Sequence, residues 1–399
     1  MLFPFFLRTS HEYVTYGAHL FLDISPGNLS SLNIFLNLTK KNSFVMMNYP
    51  SHAKKETGLV TIKEIAAEAG VSRMTVSNVI NNVRGKVSPE TEKRIRKIME
   101  KYHYVPSMAA RSLSSKSTHI IGILLPLWYD SPSSLLLSPY GGFLVGYFEE
   151  LLRARDYFVM LCSFSSVEDV LRFQRVWHTD GMIQLFPHTD SINRQLALET
   201  ECPLVVMDRH FDDVPMLSVC IEDRKGGYLA TRHVLEAGHR EIGFAGSAIQ
   251  TSTVVQDRYQ GYLDALSEYN IHPNSAWTFD GVYRLEGGVQ TANQLIQMHN
   301  RPTAMITSED LIACGIIQGY QENGLSVPKD ISVVGFDNSI PSTVVTPKLT
   351  TINQFMRKKA ECAVEMLLHA MDESNYRNDL RVFDVDLVQR SSVRRVDKS

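Results

Sequence analysis

The chain has 399 residues, of which 44% are hydrophobic and 21% are charged, and its formal net charge is −3. This length predicts two or three domains with well-packed cores. No stretch approaches the ~20 uninterrupted apolar residues of a membrane helix, so no membrane span is expected. Five dispersed cysteines without a CxxC pair, and no histidine cluster at ligand spacing, indicate buried free thiols in a reducing cytosol, with no structural metal and no cofactor.

Residues 1–58 show no consistent hydrophobic period. They open on the apolar run MLFPFFLRTS, but Pro4 and Arg8 interrupt it, and neither a basic region nor a small-residue cleavage site flanks it. The run is therefore a poor secretory signal. Two interpretations stay open: an extension that is disordered or partly helical, or a protein that begins at Met46 or Met47. We favour the second.

Residues 60–82 predict two short helices joined by a tight turn. Thr61 is followed three residues later by Glu64, which is the pattern of a capping box and predicts a helix start at Thr61. Gly70 supplies the left-handed conformation that ends a helix. Ser72 is a second cap, and it predicts that a second helix begins directly after the turn.

The second helix has an apolar and a polar face. Val76, Val79 and Ile80 form a stripe that can pack on the first helix. A helix-turn-helix places the N-terminal residues of its second helix in the DNA major groove. An ordinary helical hairpin is the alternative. The candidate DNA contacts of this unit are Thr61, Ser72, Arg73, Met74, Thr75, Ser77 and Asn78.

Charge is segregated along the chain. Residues 59–118 hold eleven Lys and Arg against five Asp and Glu, a net charge of +6, which leaves −9 on the remainder. A basic N-terminal module on an acidic body fits phosphate binding by the first part, although a solvated surface would show the same excess.

A third helix and a short linker follow. Ser88 is a cap with Pro89 at the first helical position, and Ile95, Ile98, Met99 and Tyr102 recur on one face. A three-helix domain is complete by about residue 104. The next segment, YVPSMAARSL at residues 104–113, is long enough for only two helical turns. Isolated helices this short are marginal in water, so we expect it to form only against a partner.

These motifs carry a family resemblance. TIKEIAAEAGVSRMTVSNVIN, VSPETEKRI and YVPSMAARSL occur in the order and spacing of the DNA-binding headpiece of the lac repressor/galactose repressor family. The resemblance implies a helix-turn-helix domain over 59–104 and a hinge helix over 105–118, whose contacts with the minor groove include Ala110 and Leu113. In the family a leucine at this position wedges between base pairs, which costs ~a few kcal/mol of unstacking. Ser107 departs from the usual Asn.

Beyond Ser117, apolar runs alternate with helical patterns, which is typical of parallel βαβ units. Such units predict two α/β lobes, with ligands bound in the crevice where strand ends face each other. The predicted strands are Ile120–Leu125, Phe158–Cys162, Gly181–Phe186, Leu204–Asp208, Ile242–Ala245, Ala304–Thr307 and Ile331–Phe336.

The resemblance continues through this region. HTDGMIQLFP, PLVVMDR, VLEAGHREIGFAG, QDRYQGYLDAL, PKLTTINQ and LVQRSSV stand in family order, so that it covers about residues 60–395. It implies an all-α helix-turn-helix headpiece plus a two-lobed α/β core with parallel sheets, similar to periplasmic binding proteins. The core would span 119–399, with lobe 1 at about 119–217 and 339–370 and lobe 2 at about 218–338 and 371–399.

The resemblance also implies an effector site. Arg258 in DRYQGY matches the family arginine that contacts the effector, Asp310 in SEDLIACG matches its acidic partner, and Tyr283 matches a stacking aromatic. A guanidinium, a carboxylate and a ring face suit a sugar. Without the family match, Arg258 and Asp310 would be structural ion pairs and Tyr283 a core residue.

Other strand-end residues are ambiguous. Trp128 and Tyr129 lie in the loop after the first strand, where two aromatics suit a carbohydrate but also suit packing under a long loop. Asp337 in GFDN and Asp208 lie at strand ends, and for them we favour a role in tying turns together.

No nucleophile elbow, Walker loop, GxGxxG or zinc motif occurs, so an enzyme is not expected. The sequence predicts a cytoplasmic, nucleoid-associated transcriptional repressor of sugar-utilisation genes, acting as a homodimer on double-stranded operator DNA and switched by a sugar effector. A purine- or nucleoside-controlled regulator, or one controlled by a partner protein, is the alternative within the class. A solute-binding protein is the rival from another class, and it would require an export signal and no basic headpiece.

Overall fold

The computed structural model describes residues 60–80, 83, 85–104, 117–127, 136–373 and 375–396, together with the backbone of four strands nearer the N-terminus. The chain forms two compact units, Met1–Ala110 and Arg111–Ser399. Within the described residues, no helix combines the length and apolarity that crossing a membrane requires.

The first strands form an antiparallel sheet in the order β1-β2-β3-β4. The described backbone of this region is β-strand. This differs from the disordered or partly helical extension that was one of the two interpretations of the sequence. A start at Met46 or Met47 stays a prediction. The strands are β1 (Pro4–Arg8), β2 (Tyr13–Leu22), β3 (Ile34–Leu38) and β4 (Phe44–Met47).

Three helices follow: α1 (Ile62–Ala69), α2 (Arg73–Ile80) and α3 (Pro89–Lys101). The predicted caps are confirmed. The Glu64 carboxylate accepts a hydrogen bond from the Thr61 backbone N–H at 2.7 Å, and Thr61 in turn accepts from the Glu64 backbone N–H. Gly70 ends α1 with φ of 64°, a left-handed conformation that costs least at glycine.

The three helices share a small core. Ile65, Val76 and Ile95, one from each helix, are fully buried and in contact. Tyr102, predicted to extend the apolar face of α3, is 39% exposed because it lies just past the helix end. Its ring instead lies under the ammonium of Lys101.

The second unit alternates strands and helices. Its strands are β5 (Ile120–Pro126), β6 (Phe158–Phe164), β7 (Gly181–Gln184), β8 (Leu204–Met207), β9 (Leu217–Ile221), β10 (Ile242–Ala245), β11 (Thr278–Phe279), β12 (Ala304–Thr307), β13 (Ser332–Asp337), β14 (Thr350–Asn353), β15 (Asp379–Phe383) and β16 (Asp386–Val388). Its helices are α4 (Pro139–Arg153), α5 (Val167–Trp177), α6 (Asp190–Glu199), α7 (Asp223–Glu236), α8 (Thr253–Glu268), α9 (Arg284–Gln297), α10 (Asp310–Glu322), α11 (Ile340–Val344) and α12 (Met356–Asp372).

Two six-stranded sheets define two lobes. Lobe 1 has the strand order β15-β9-β8-β7-β5-β6, with every neighbouring pair parallel. Lobe 2 has the order β11-β10-β12-β13-β14-β16, with only β16 antiparallel to its neighbour. Strands β7, β8, β10 and β12 are buried along their whole length, as expected for sheets covered on both faces.

The chain crosses between the lobes three times: after β9, after β14 and after β15. Helix α12 packs on lobe 1. The observed boundaries therefore differ from the expected ones, which put β14 in lobe 1 and β15 in lobe 2. All seven predicted strands are present. Five strands of this unit were missed: β9, β11, β14, β15 and β16. Of these, β14, with the sequence TTIN, and β15, an edge strand with exposed residues, lack the apolar run that marked the predicted strands.

Two glycines bring α7 and α8 into backbone contact. A Cβ atom on Gly227 would lie 1.9 Å from the carbonyl oxygen of Arg258, and one on Gly261 would lie 1.9 Å from that of Arg224. Any larger residue would push the helices apart. This close approach holds Arg258 on α8 beside Asp223 at the start of α7.

Candidate functional site

The outer face of α2 is the candidate DNA-reading surface. Arg73 is exposed and Met74 is 69% exposed, as predicted for residues that face solvent in the free protein. Ser77 and Asn78, one turn further on, are half-buried. An exposed methionine offers apolar contact, for example to a thymine methyl, whereas a guanidinium can bond two acceptors of a guanine.

Two of the predicted DNA contacts, Ser72 and Thr61, also cap helices. Ser72 accepts a hydrogen bond from the Thr75 backbone N–H at 3.1 Å, and its hydroxyl lies 2.9 Å from that of Thr75. Thr61 caps α1. The first turn of α2 contains no acidic residue. A helix N-terminus with free N–H groups and no local carboxylate suits a phosphate.

Exposed basic side chains surround these helices. This supports phosphate contact by the unit, because each neutralised phosphate releases counterions. Ala110 and Leu113, the predicted hinge contacts, lie outside the described residues. The exposed basic residues of the helical unit are Lys63, Arg73, Lys86, Lys93, Arg94, Arg96, Lys97 and Lys101.

The second candidate site lies where strand ends of the two lobes meet. Asp208 directly follows β8 in lobe 1, and Asp337 is the last residue of β13 in lobe 2. Both have positive φ, 60° and 123°. Backbone conformations of this kind cost energy in non-glycine residues and concentrate at ligand sites.

Arg258 is the central cation of this cleft. Its Nε donates to the Asp223 carboxylate at 2.7 Å, and its Nη1 donates to the carbonyl of Ser308 at 2.6 Å. The guanidinium stacks on the Phe336 ring at 3.6 Å. The side chain is only 8% exposed. The ion pair, the hydrogen bond to the carbonyl and the aromatic ring together hold it in one orientation.

The carboxyl groups around Arg258 hold their protons unusually tightly. Burial raises the pKa of Asp223 to about 6, although the charge of Arg258 works against this. Burial also raises the pKa of Asp337 well above its ordinary value, with a further contribution from Asp310. Perturbed carboxyl pKa values in a cleft are typical of a functional site.

A chain of hydrogen bonds links the lobes across this cleft. The Gln354 amide N–H donates to Asp337 at 2.5 Å, and its oxygen accepts from the Lys359 ammonium at 3.1 Å. Lys359, fully buried on α12, also donates to Asp208 at 2.6 Å and to Tyr140 at 2.9 Å. The Tyr140 hydroxyl donates to Asp208. Asp208 and Asp337 thus tie turns together, the role favoured from sequence.

Asp310 is held by hydrogen bonds within lobe 2. Its carboxylate accepts from the Ser339 N–H at 2.7 Å and hydroxyl at 2.8 Å, and from the Thr351 hydroxyl at 2.5 Å. The residue is fully buried, which raises its pKa to about 6. Its partners are thus Ser339 and Thr351, and not Arg258 as the sequence suggested. A ligand role for Asp310 stays a prediction that this geometry does not favour.

The predicted aromatic contacts are only partly described. Tyr283 stands at the N-cap position of α9 without a side-chain capping hydrogen bond, and it is 56% exposed. Trp128 and Tyr129 lie outside the described residues.

A surface depression of about 450 Å³ lies on the outer side of α5, away from these groups. It is lined by Val167, Glu168, Leu171, Arg172, Arg175, Val176 and Glu199, and by none of the buried charges at the strand ends. In the part of the chain that the structure describes, no group of three or more His, Cys, Asp or Glu could hold a metal ion.

Several residues of the cleft were missed from sequence. Asp223 follows β9, a strand that was itself missed. Lys359 lies four and seven residues before the buried Ala363 and Met366, a spacing that places a lysine on the apolar face of α12. That spacing is a usable signal, because a lysine on a buried face needs a partner. Gln354 carried no such signal.

Family models match the helical unit and much of the core. Residues 61–107 match the family described as bacterial regulatory proteins, lacI family, and residues 231–393 match a periplasmic binding protein-like domain. The HTH-type transcriptional repressor PurR of Aliivibrio salmonicida (strain LFI1238) is 32% identical over 345 residues, which are 85% of this chain and 100% of that protein.

Solved structures are also similar. The lac repressor dimer bound to operator and the anti-inducer ONPF is 26% identical, with a TM-score of 0.73, and the match covers 84% of this chain and 99% of that one. A LacI family transcriptional regulator from Enterococcus faecium with bound ribose is 25% identical, with a TM-score of 0.60, over 70% of this chain and 100% of that one.

Proposed function

The chain belongs to the lacI family of bacterial regulatory proteins and is a DNA-binding transcriptional repressor rather than an enzyme, and we propose that a purine controls it. A repressor of this kind works in the cytoplasm, with its operator DNA. A small molecule bound in the cleft would favour one arrangement of the lobes, and operator and effector would then change each other's affinity by the same factor.

The observation that carries the purine proposal is the extent of the match to a PurR repressor, whose abbreviated name denotes a purine repressor. The match covers 85% of this chain at 32% identity. The sugar predicted from sequence is the second candidate, favoured by the ribose-bound regulator at 25% identity over 70% of the chain.

The cleft chemistry suits a planar, nitrogen-rich ligand. Arginine side chains can donate to adjacent ring acceptors such as the N7 and O6 of guanine, and this chemistry supports Arg258 as a purine contact. A carboxyl group such as Asp337 can accept a ring N–H. The exposed ring of Tyr283 offers a stacking face at the start of α9.

A thermal-shift series tests the effector. The full chain is heated with adenine, guanine, hypoxanthine, their nucleosides, ribose and common hexoses. A ligand present at a hundred times its Kd stabilises the folded state by about 2.7 kcal/mol, which raises Tm measurably. We expect at least one purine to raise Tm and the sugars to leave it unchanged. A shift with ribose or a hexose and none with any purine would reverse the order of the two candidates.

We further propose a homodimer, as in the lac repressor dimer. The exposed apolar patches of the core include one at Phe158 on edge strand β6 and one at Ile340 and Val344, a helical turn apart on α11, with exposures of 56–72%. Exposed apolar patches of this kind are typical of protein interfaces. A second copy of the chain is the occupant to which this proposal commits.

Sedimentation equilibrium tests the dimer. The double variant Phe158→Glu with Val344→Glu should sediment as a monomer, because it places two charges in the proposed interface. Leu198→Glu is the matched control, since Leu198 is 65% exposed on α6 and belongs to neither patch. A double variant that stays dimeric, or a control that dissociates, would place the interface elsewhere.

A further inference from the structure

The Asp180 carboxylate binds the first residues of the core unit that the structure describes. It accepts hydrogen bonds from the Thr118 backbone N–H at 2.8 Å, the Thr118 hydroxyl at 3.0 Å and the His119 backbone N–H at 2.8 Å. The Ser117 hydroxyl donates to it as well. One side chain therefore satisfies four donors from three consecutive residues.

The same short segment is held from its other side. His119 has a φ of 56°, so the chain bends sharply just before β5. The His119 ring lies 5.3 Å from the Tyr157 ring, and its Nδ1 lies 3.2 Å from the carbonyl oxygen of Asp156. The Phe158 N–H donates to the His119 carbonyl at 2.8 Å. The bend is thus fixed between two loops at the N-terminal edge of the lobe 1 sheet.

At this point the chain that comes from the helical unit enters lobe 1. Ser117 is the first core residue that the structure describes after Tyr104 of the helical unit. A conformational change in the core that reaches the helical unit along the chain must pass through residues 117–119. The Asp180 carboxylate holds two backbone N–H groups there, those of Thr118 and His119, together with the hydroxyls of Ser117 and Thr118.

We infer that Asp180 is a positioning residue for operator binding. Its clamp holds the start of the core rigid, so that the arrangement of the lobes is transmitted along the chain instead of being absorbed by a loose joint. The inference rests on the DNA-binding function that family membership establishes, and it does not depend on the purine proposal. Strand β5, with seven residues, separates this clamp from the strand-end cleft by about 20 Å, so the cleft is not touched.

The test compares specific with non-specific DNA binding by the full chain. Asp180→Ala should weaken binding to an operator duplex selected by the wild-type protein at least about fivefold, the lower end of typical coupling factors. Binding to an unrelated duplex should stay within about twofold, because it depends on the exposed basic residues of the helical unit. Misfolding would lower both affinities together.

Asp169→Ala is the matched control. In the same lobe, the Asp169 carboxylate accepts from the Ser165 and Ser166 backbone N–H groups at 3.0 and 3.1 Å, far along the chain from the joint. It should cost similar stability and leave operator affinity unchanged. If Asp180→Ala does not fold, Thr118→Val removes one donor only and should give a smaller loss of operator affinity. Unchanged operator affinity in the folded variants, or an equal loss for both duplexes, overturns the inference.

Discussion

The two candidate sites use charge in opposite ways. In the helical unit, the basic side chains are exposed and stand on three short helices around a small core. In the cleft, Arg258, Lys359 and Asp337 are buried, and each is hydrogen-bonded to another side chain of the protein. The first surface can bind a polyanion without rearranging. The second has already exchanged its water for protein partners, so a ligand must compete with existing hydrogen bonds.

This difference assigns DNA affinity to the helical unit and control of that affinity to the cleft. Exposed charges contribute little to the stability of the unit that carries them, because water solvates them already. A buried charge that loses its partner is strongly destabilising. An event that removes one partner therefore shifts the equilibrium between alternative conformations of the lobes. A switch is therefore built more readily from the cleft than from the helices.

The largest expected effect is at Arg258. Arg258→Met should lower the free energy of unfolding of the core by about 3–5 kcal/mol, because it leaves Asp223 buried without its cation. Urea unfolding monitored by tryptophan fluorescence measures this. Adding Asp223→Leu should recover most of the loss, since both charges are then gone. A loss below about 1 kcal/mol in the single variant would mean that the pair is solvated.

A pH effect of about 2–3 kcal/mol is expected from Asp223. Its pKa is raised from 3.8 to about 6 in the folded core, so the folded state keeps this proton to higher pH than the unfolded chain. The stability that it contributes is complete below about pH 4 and is lost as pH rises through 6. Wild type should therefore lose more stability between pH 4.5 and 7 than Asp223→Asn does. Equal losses would contradict the raised pKa.

At the DNA-reading surface we expect a loss of about 1–3 kcal/mol from Arg73→Ala, concentrated at one base position if Arg73 contacts guanine. Selection of duplexes from a randomised pool by wild type and variant shows whether one position loses its preference. A uniform loss across all sequences would identify Arg73 as a phosphate contact. Lys93→Ala, on α3, is the control for a lost positive charge alone.

The smallest effect is expected at a helix cap. Ser72→Ala should cost the helical unit about 1 kcal/mol, because the Thr75 N–H loses its acceptor. Ser72→Asp keeps an acceptor at this position, so it should restore stability while its negative charge weakens DNA binding. Thermal unfolding and duplex titration separate the two roles. If Ser72→Asp bound DNA as tightly as wild type, Ser72 would not lie near a phosphate.

The predictability of each site follows the sequence distance of its contacts. The caps of α1 and α2 are made by residues three apart, so Thr61, Glu64 and Ser72 could be recognised directly. Lys359 contacts Asp208 and Tyr140 across 151 and 219 residues. No local pattern encodes such pairs, which only the folding of both lobes brings together.

Family resemblance supplied part of what local patterns could not, and its limits are visible at Asp310. The motif placed an acidic residue at the correct strand end. Whether that carboxylate faces a ligand depends on Ser339 and Thr351, 29 and 41 residues away, which bond it inside lobe 2. Asp223, outside any recognised motif, is the residue that pairs with Arg258.

The most direct test of the account is a titration of the selected operator duplex by fluorescence anisotropy, with and without the purine that gives the largest thermal shift. The account predicts that a saturating purine changes the operator Kd at least about fivefold, and that the operator changes the Kd of the purine by the same factor. An operator Kd that no purine alters, but that ribose or a hexose does, would contradict it.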